Sequence, residues 1–284
     1  MVTYFLRQDD ILRFYGRIAE EFQLFVPVRI QAEPKTRCDY GFSLPTDDYL
    51  LKKYSETDKT EIIFNEYRCV EPTARAFYTY CKEEVCAYFK DEETKGGKVK
   101  PVALCGAKNC DMFSARIQDF VFLGGNEEDS VYKGRRSSTL VISGDCPSFK
   151  ESCFCRAFEI NPHVTEGFDF NLAPLNDGYL LDVGTPKAEG LAESLKDILV
   201  AATAAQVTAR GAKRQTVIKR MEEHLSHHKI PKKEVLQEIV LSGYNSQVWR
   251  EQMSTCVECA GCIFICDTCH CFLLSDELKG ENAK

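Results

Sequence analysis

Four cysteines stand in the run Cys256-Val-Glu-Cys259-Ala-Gly-Cys262-Ile-Phe-Ile-Cys266, and two more, Cys269 and Cys271, follow at once. This spacing restricts the local fold more than any other feature of the chain. A C-x2-C-x2-C-x3-C run puts three thiolates on one tight loop, where each can reach a different iron of a cubane. Ala260 and Gly261 are small enough to let backbone N–H groups approach the sulfurs, and Ile263, Phe264 and Ile265 are expected to keep such a site partly dry. The chemistry that fits is a [4Fe–4S] cluster with Cys256, Cys259, Cys262 and Cys266 as ligands. A zinc knuckle is the alternative, but zinc prefers two separated ligand pairs. The fourth cysteine of such runs usually faces a second cluster, and a proline usually follows it; here Asp267 stands in that place. Cys269 and Cys271 are open between a missing fourth ligand, a second metal site and buried thiols. His270 is read as a flanking side chain.

The chain carries 15 cysteines in 284 residues, an odd number, and its opening MVTYFLRQDD has no long apolar segment that would read as a secretory signal. Thiols in a reducing compartment hold metal more often than disulfides, so a cytoplasmic location is expected. The formal charge of −7 makes nucleic acid an unsuitable partner. The longest apolar run, Ile198 to Val207, is half of the roughly 20 residues that cross a bilayer, so no membrane insertion is expected. There is no G-x-G-x-x-G and no P-loop, which argues against a nucleotide or flavin site in this chain, and no nucleophile–base pairing suggests hydrolysis.

Along the chain, Ile11, Phe14, Tyr15, Ile18 and Phe22 recur at helical spacing behind Asp9 and Asp10. Phe25 to Ile30 reads as a strand, with Pro27 suggesting a sheet edge. The segment from Cys38 to Phe64 is weakly patterned and turn-rich, Thr73 to Phe89 reads as helix, and Asp91 to Lys98 as a loop. Pro101 to Cys105, Ser138 to Ser143 and Gly178 to Val183 read as strands, with a helix from about Cys110 to Val121. From Lys187 to about Arg250 the pattern is helical, with breaks near Lys229-Ile-Pro231 and Ser242-Gly243. The expected class is α+β: an α/β domain over residues 1–186, then a helical connector and a ferredoxin-like iron–sulfur region over 187–284. The basic stretch Lys213 to Arg220 and the histidines 224, 227 and 228 read as solvated helix surface.

A second, dispersed set of cysteines accompanies this pattern. Cys110 opens the helix after one strand, Cys146 ends the next strand, and Cys153 and Cys155 lie on the loop beyond it. Loops after neighbouring strands meet at one sheet edge, so Cys110, Cys146, Cys153 and Cys155 could share one site. Spacing alone leaves a cluster, an all-cysteine zinc site and unligated core thiols open. Cys38, Cys69, Cys81 and Cys86 show no metal spacing and are read as bystanders.

Several stretches resemble the iron–sulfur beta subunits of cytoplasmic sulfhydrogenases (hydrogenase/sulfur reductases), a family related to an iron–sulfur component of anaerobic sulfite reductase and to four-iron dicluster proteins. They are Ala103-Leu-Cys-Gly-Ala-Lys-Asn-Cys-Asp111, Arg116 to Phe122, Ser152-Cys-Phe-Cys155, Gly167-Phe-Asp169 and the run from Cys256 to Phe272. The resemblance implies a second [4Fe–4S] cluster on Cys110, Cys146, Cys153 and Cys155, while Cys105 sits where an aliphatic residue is usual. It implies an electron-transfer subunit, not itself catalytic, that relays electrons from one redox partner to another. One partner would be of the flavin/NAD(P)-binding kind, and the other a catalytic subunit of the hydrogenase or sulfur/sulfite reductase type. A non-redox interaction or sensor protein with a structural metal is the contrasting class. Family members typically carry a second C-x2-C-x2-C-x3-C run, and none follows within this sequence. The fourth ligand of the C-terminal cluster is thereby open among Cys266, Cys269, Cys271, an N-terminal cysteine and a partner chain.

Overall fold

The structure is a computed structural model that describes residues 2–31, 47–71, 73–79 and 100–271, with a few positions beyond. Cys38, Cys81, Cys86, the loop read at Asp91–Lys98 and most of the helix read from Thr73 to Phe89 lie outside the described residues; α2 covers Thr73–Phe77.

Its centre is a mixed sheet of eight strands. These are β1 (Val2–Arg7), β2 (Gln23–Gln31), β3 (Asp47–Lys53), β4 (Val102–Ala107), β5 (Leu140–Gly144), β6 (Phe170–Pro174), β7 (Gly178–Val183) and β8 (Leu199–Ala201), in the order β3-β2-β4-β5-β6-β7-β1-β8. β2, β4, β5 and β6 run parallel to one another, and both flanks are antiparallel. Side chains of the central strands alternate between two layers, as a period of two requires. Ala103, Cys105, Leu140 and Ile142 join Phe14, Ile18, Leu195 and Ile198 on one side. Leu104, Ala107 and Val141 join Met112, Val164 and Phe168 on the other.

The helix with apolar residues at Phe14, Tyr15 and Ile18 is α1 (Ile11–Glu21). α3 (Asn109–Leu123) starts directly behind β4, and the Asp111 carboxylate accepts the Lys108 N–H at 2.8 Å to hold its first turn. α4 (Ser130–Ser138) is capped by Asp129, whose carboxylate accepts from the N–H groups of Val131 and Tyr132. α5 (Pro186–Ser194) has Thr185 as its cap and proline in its first turn. α6 (Ala204–His227) opens on a capping box between Thr203 and Gln206. Two shorter helices follow, α7 (Lys233–Ser242) and α8 (Gln247–Met253).

Three readings change. β2 is an inner strand rather than an edge: Pro27 is tolerated because pairing with β4 ends at Phe25, so no β4 bond needs its missing N–H. The helical reading after Lys187 is interrupted by β8, whose Leu199–Ala201 pair with Tyr4–Leu6. The basic stretch on α6 is not a uniformly solvated face. Arg214 turns inward and grips both oxygens of Asp145 at 2.6 and 3.0 Å, and Arg210 grips Asp182 at 2.7 and 2.8 Å. Asn171 and Thr3 donate to the same two carboxylates.

This network clamps α6 across the sheet. Replacing Asp182 with alanine would leave the Arg210 guanidinium facing the buried side of the interface without its counter-ion. The expected cost is about 3–5 kcal/mol, read as a lower urea midpoint in equilibrium unfolding.

Candidate metal centre

β4 and β5 are neighbouring parallel strands, so both C-terminal ends open at one edge of the sheet. The chain leaves β4 through a bulge at Gly106, whose φ of +90° suits glycine and whose added Cβ would stand 2.8 Å from Asn65 Oδ1. Lys108 and Asn109 follow, then Cys110 in the first turn of α3. From β5 the chain runs through Asp145 to Cys146, whose N–H donates to the Pro162 carbonyl at 2.8 Å. The loop then places Cys153 and Cys155, the latter at the start of a 3-10 turn over Cys155–Phe158. Asn109 Nδ2 donates to the Asn161 carbonyl at 3.0 Å and ties the start of α3 to this loop.

The four thiols are close enough to act on one another. Burial pushes the Cys110 thiol well above its ordinary value, and Asp111, Cys146 and Cys155 add to the rise while Arg68 opposes it. Burial likewise pushes Cys146 up to about 12, with Cys155 and Cys153 repelling its negative form and Lys108 opposing. Cys155 is pushed up to about 11, by burial first and by Cys153 next. Cys153 is raised by burial against the pull of Lys150, whose N–H donates to the Cys153 sulfur at 3.3 Å. Among the described residues no three or more Cys, His, Asp or Glu side chains are gathered at metal-ligand distance. The donor set is nevertheless suited to an iron–sulfur group: four thiols on converging loops, which burial and mutual repulsion keep protonated in the metal-free chain, would release their protons on binding a cationic iron centre, whose charge would offset that of the thiolates.

Lys108 was not legible as part of this site. Its side chain is fully buried, with Nζ donating to the Asn65 carbonyl at 2.8 Å and the Asp145 carbonyl at 2.9 Å, over the face of Phe64. The ammonium thus sits among Cys69, Cys105 and Cys146 and lowers the cost of thiolate at each. The one available signal was its place, a basic residue between a buried strand and a helix-opening cysteine. Cys105 is a core thiol that donates to the Tyr15 hydroxyl at 3.3 Å, and Cys69 is buried beside Asn65.

The C-terminal run lies apart from this edge in sequence and on the surface. Cys256, Cys259, Cys262 and Cys266 are exposed, as is Cys271, and none of the described cysteines forms a disulfide. Glu258 and Ala260 adopt left-handed backbone, with φ of 53° and 58°, and Ala260 leads into the short helix α9 (Gly261–Ile265). Alternation of this kind turns successive N–H groups to one side, as cradles for anionic sulfur do. A Cβ at Gly261 would meet the Cys259 sulfur at 3.5 Å. Phe264 and Ile265 are exposed here, contrary to the expectation that they shield the run. His224 is also more than bare surface: Nε2 lies 2.8 Å from the Glu151 carbonyl and holds the end of α6 against the loop of Cys153.

The thiol shifts give a pH dependence. In the metal-free chain, protonated Cys155 and Cys146 contribute stability that is intact below the ordinary thiol value of 9.0 and lost as pH rises through about 11 and about 12, because the unfolded chain gives up those protons first. Urea midpoints should fall more steeply above about pH 9 for the unaltered chain than for Cys146→Ala/Cys155→Ala.

No family model matches this sequence. The chain is 24% identical over 271 residues to the beta subunit of sulfhydrogenase 2 from Pyrococcus furiosus, an alignment that covers 95% of this chain and 73% of that protein. The similarity runs over almost the whole length of this chain, and not only through the cysteine run.

Proposed function

We propose that this chain is an iron–sulfur electron-transfer subunit of a multi-subunit hydrogenase or sulfur reductase complex. The observation that carries the reading is the pairing of two cysteine sets in one chain: a C-x2-C-x2-C-x3-C loop on the surface, and Cys110, Cys146, Cys153 and Cys155 converging at a sheet edge. Relationship to a sulfhydrogenase beta subunit supports it. A [4Fe–4S] cluster supplies one-electron uptake and release when bound.

The residues divide the work. Cys256, Cys259, Cys262 and Cys266 would hold the C-terminal cluster, and Cys110, Cys146, Cys153 and Cys155 the second. Lys108 places positive charge behind Cys146, and β4, β5 and α3 fix the loops that aim the inner thiols. The remaining surface suits docking to redox partners. Tyr244, Trp249, Met253, Val257 and Ile265 are large, apolar and exposed in and around the cysteine run. A catalytic redox subunit on one side and a flavin/NAD(P)-binding subunit on the other are the partners this role requires. No helix among the described residues is long and apolar enough to cross a membrane.

The test is anaerobic purification of the complex with iron and sulfide determined per chain. The expected protein is brown, bleaches with dithionite and shows no hydrogenase or sulfur reductase turnover as an isolated chain. Cys153→Ser should remove about four irons, one cubane's worth, and leave the spectrum of the C-terminal cluster in place. A colourless protein carrying zinc overturns the reading.

A further inference from the structure

Between residues 226 and 271 all positions are described, and one of them is buried: Asp267, the residue that stands where ferredoxin runs usually carry proline. The single buried side chain of this segment is thus a carboxylate, and it is held by polar contacts. Those contacts lead back to the sheet edge. Arg68 Nη2 lies 3.3 Å from Asp267 Oδ2, and the Nε of the same guanidinium donates to Asp111 Oδ1. Asp111 neighbours Cys110 and Asp267 neighbours Cys266, so one side chain bridges the carboxylates beside a ligand candidate of each site. Gln118, fully buried on α3, donates Nε2 to the Asp267 carbonyl at 3.2 Å and to the Cys269 carbonyl at 2.8 Å.

We propose that Arg68 and Gln118 are positioning residues that latch the Cys256–Cys271 segment onto the helix that begins with Cys110, so that the two cysteine sites move as one body. The helix α3 carries a site cysteine in its first turn and the latch amide two turns later. Arg68 is held for this role by its own loop, in which Asn65 Nδ2 donates to the Gly106 and Tyr67 carbonyls. Asp111 and Asp267 are both almost wholly buried, and removing the cation between them leaves two like charges facing each other. A further ionic link from this region, Lys233 to Glu159, is exposed and screened by salt. Asp267 in place of proline is thereby explained: proline offers a carbonyl to Gln118 but no carboxylate to Arg68.

The magnetic part of the test rests on the electron-transfer reading, whereas the exchange part does not. Hydrogen exchange of amides 256–271 is compared in the full chain and in Arg68→Met, Arg68→Lys and Gln118→Leu. The latch predicts exchange about tenfold or more faster in Arg68→Met, partial rescue in Arg68→Lys, and acceleration in Gln118→Leu, which removes no charge and keeps the test open if Arg68→Met does not fold. With both clusters loaded and reduced, the line broadening that each cluster imposes on the other in electron paramagnetic resonance should weaken in Arg68→Met at unchanged iron content. Unchanged exchange and unchanged broadening in fully loaded variants overturn the latch. A chain that binds no iron overturns the electron-transfer reading instead, and the exchange comparison on that metal-free chain still decides the latch.

Discussion

A buried ammonium organises the sheet edge on which the inner cysteines lie. Lys108 has no exposed surface, and its three hydrogens must find acceptors inside the protein. It finds the Asn65 and Asp145 carbonyls, one on the loop after β3 and one at the end of β5, while its own backbone begins α3. Three segments far apart in sequence are thus fastened to one cation, and each carries a residue of the site: Arg68, Cys146 and Cys110. The same charge eases the crowding of thiols that would otherwise repel one another as thiolates. Fastening and electrostatic compensation are one interaction here.

The second fixed point is the clamp of α6. Two guanidiniums, Arg210 and Arg214, face two carboxylates, Asp182 and Asp145, and each carboxylate takes a further donor from the sheet. A buried network with its partners present favours one arrangement and penalises the rest. Asp145 belongs to both systems, through its carbonyl to Lys108 and its carboxylate to Arg214. The placement of Cys146, the next residue, is therefore set from two sides. His224 extends the clamp to the loop of Cys153.

Past residue 226 the physics changes. The helices α7, α8 and α9 bury no side chain, and apolar residues such as Leu241 and Tyr244 face outward. This region exposes apolar surface and builds no apolar core of its own, whereas the sheet carries its core on both faces. The polar contacts at Asp267 and Cys269 join the two.

What the sequence by itself determined is what depends on near neighbours. The C-x2-C-x2-C-x3-C loop, the apolar stripe of α1, the strands β4, β5 and β7 and the helix α3 all announce themselves within a window of some fifteen residues, because spacing and period are local properties. β1, β3, β6 and β8 did not, since short strands are defined by partners such as Val183 for Val2 and Val200 for Phe5. The α4 helix was hidden by its polar composition and revealed by its Asp129 cap. Cysteine identity marked both candidate sites, but only the tertiary structure decided which charges stand beside them. Burial of Lys108, the inward turn of Arg214 and the reach of Arg68 to Asp111 and Asp267 are set by elements brought together from distant parts of the chain, and no local pattern in a lysine, an arginine or an aspartate states whether it faces water or a counter-ion.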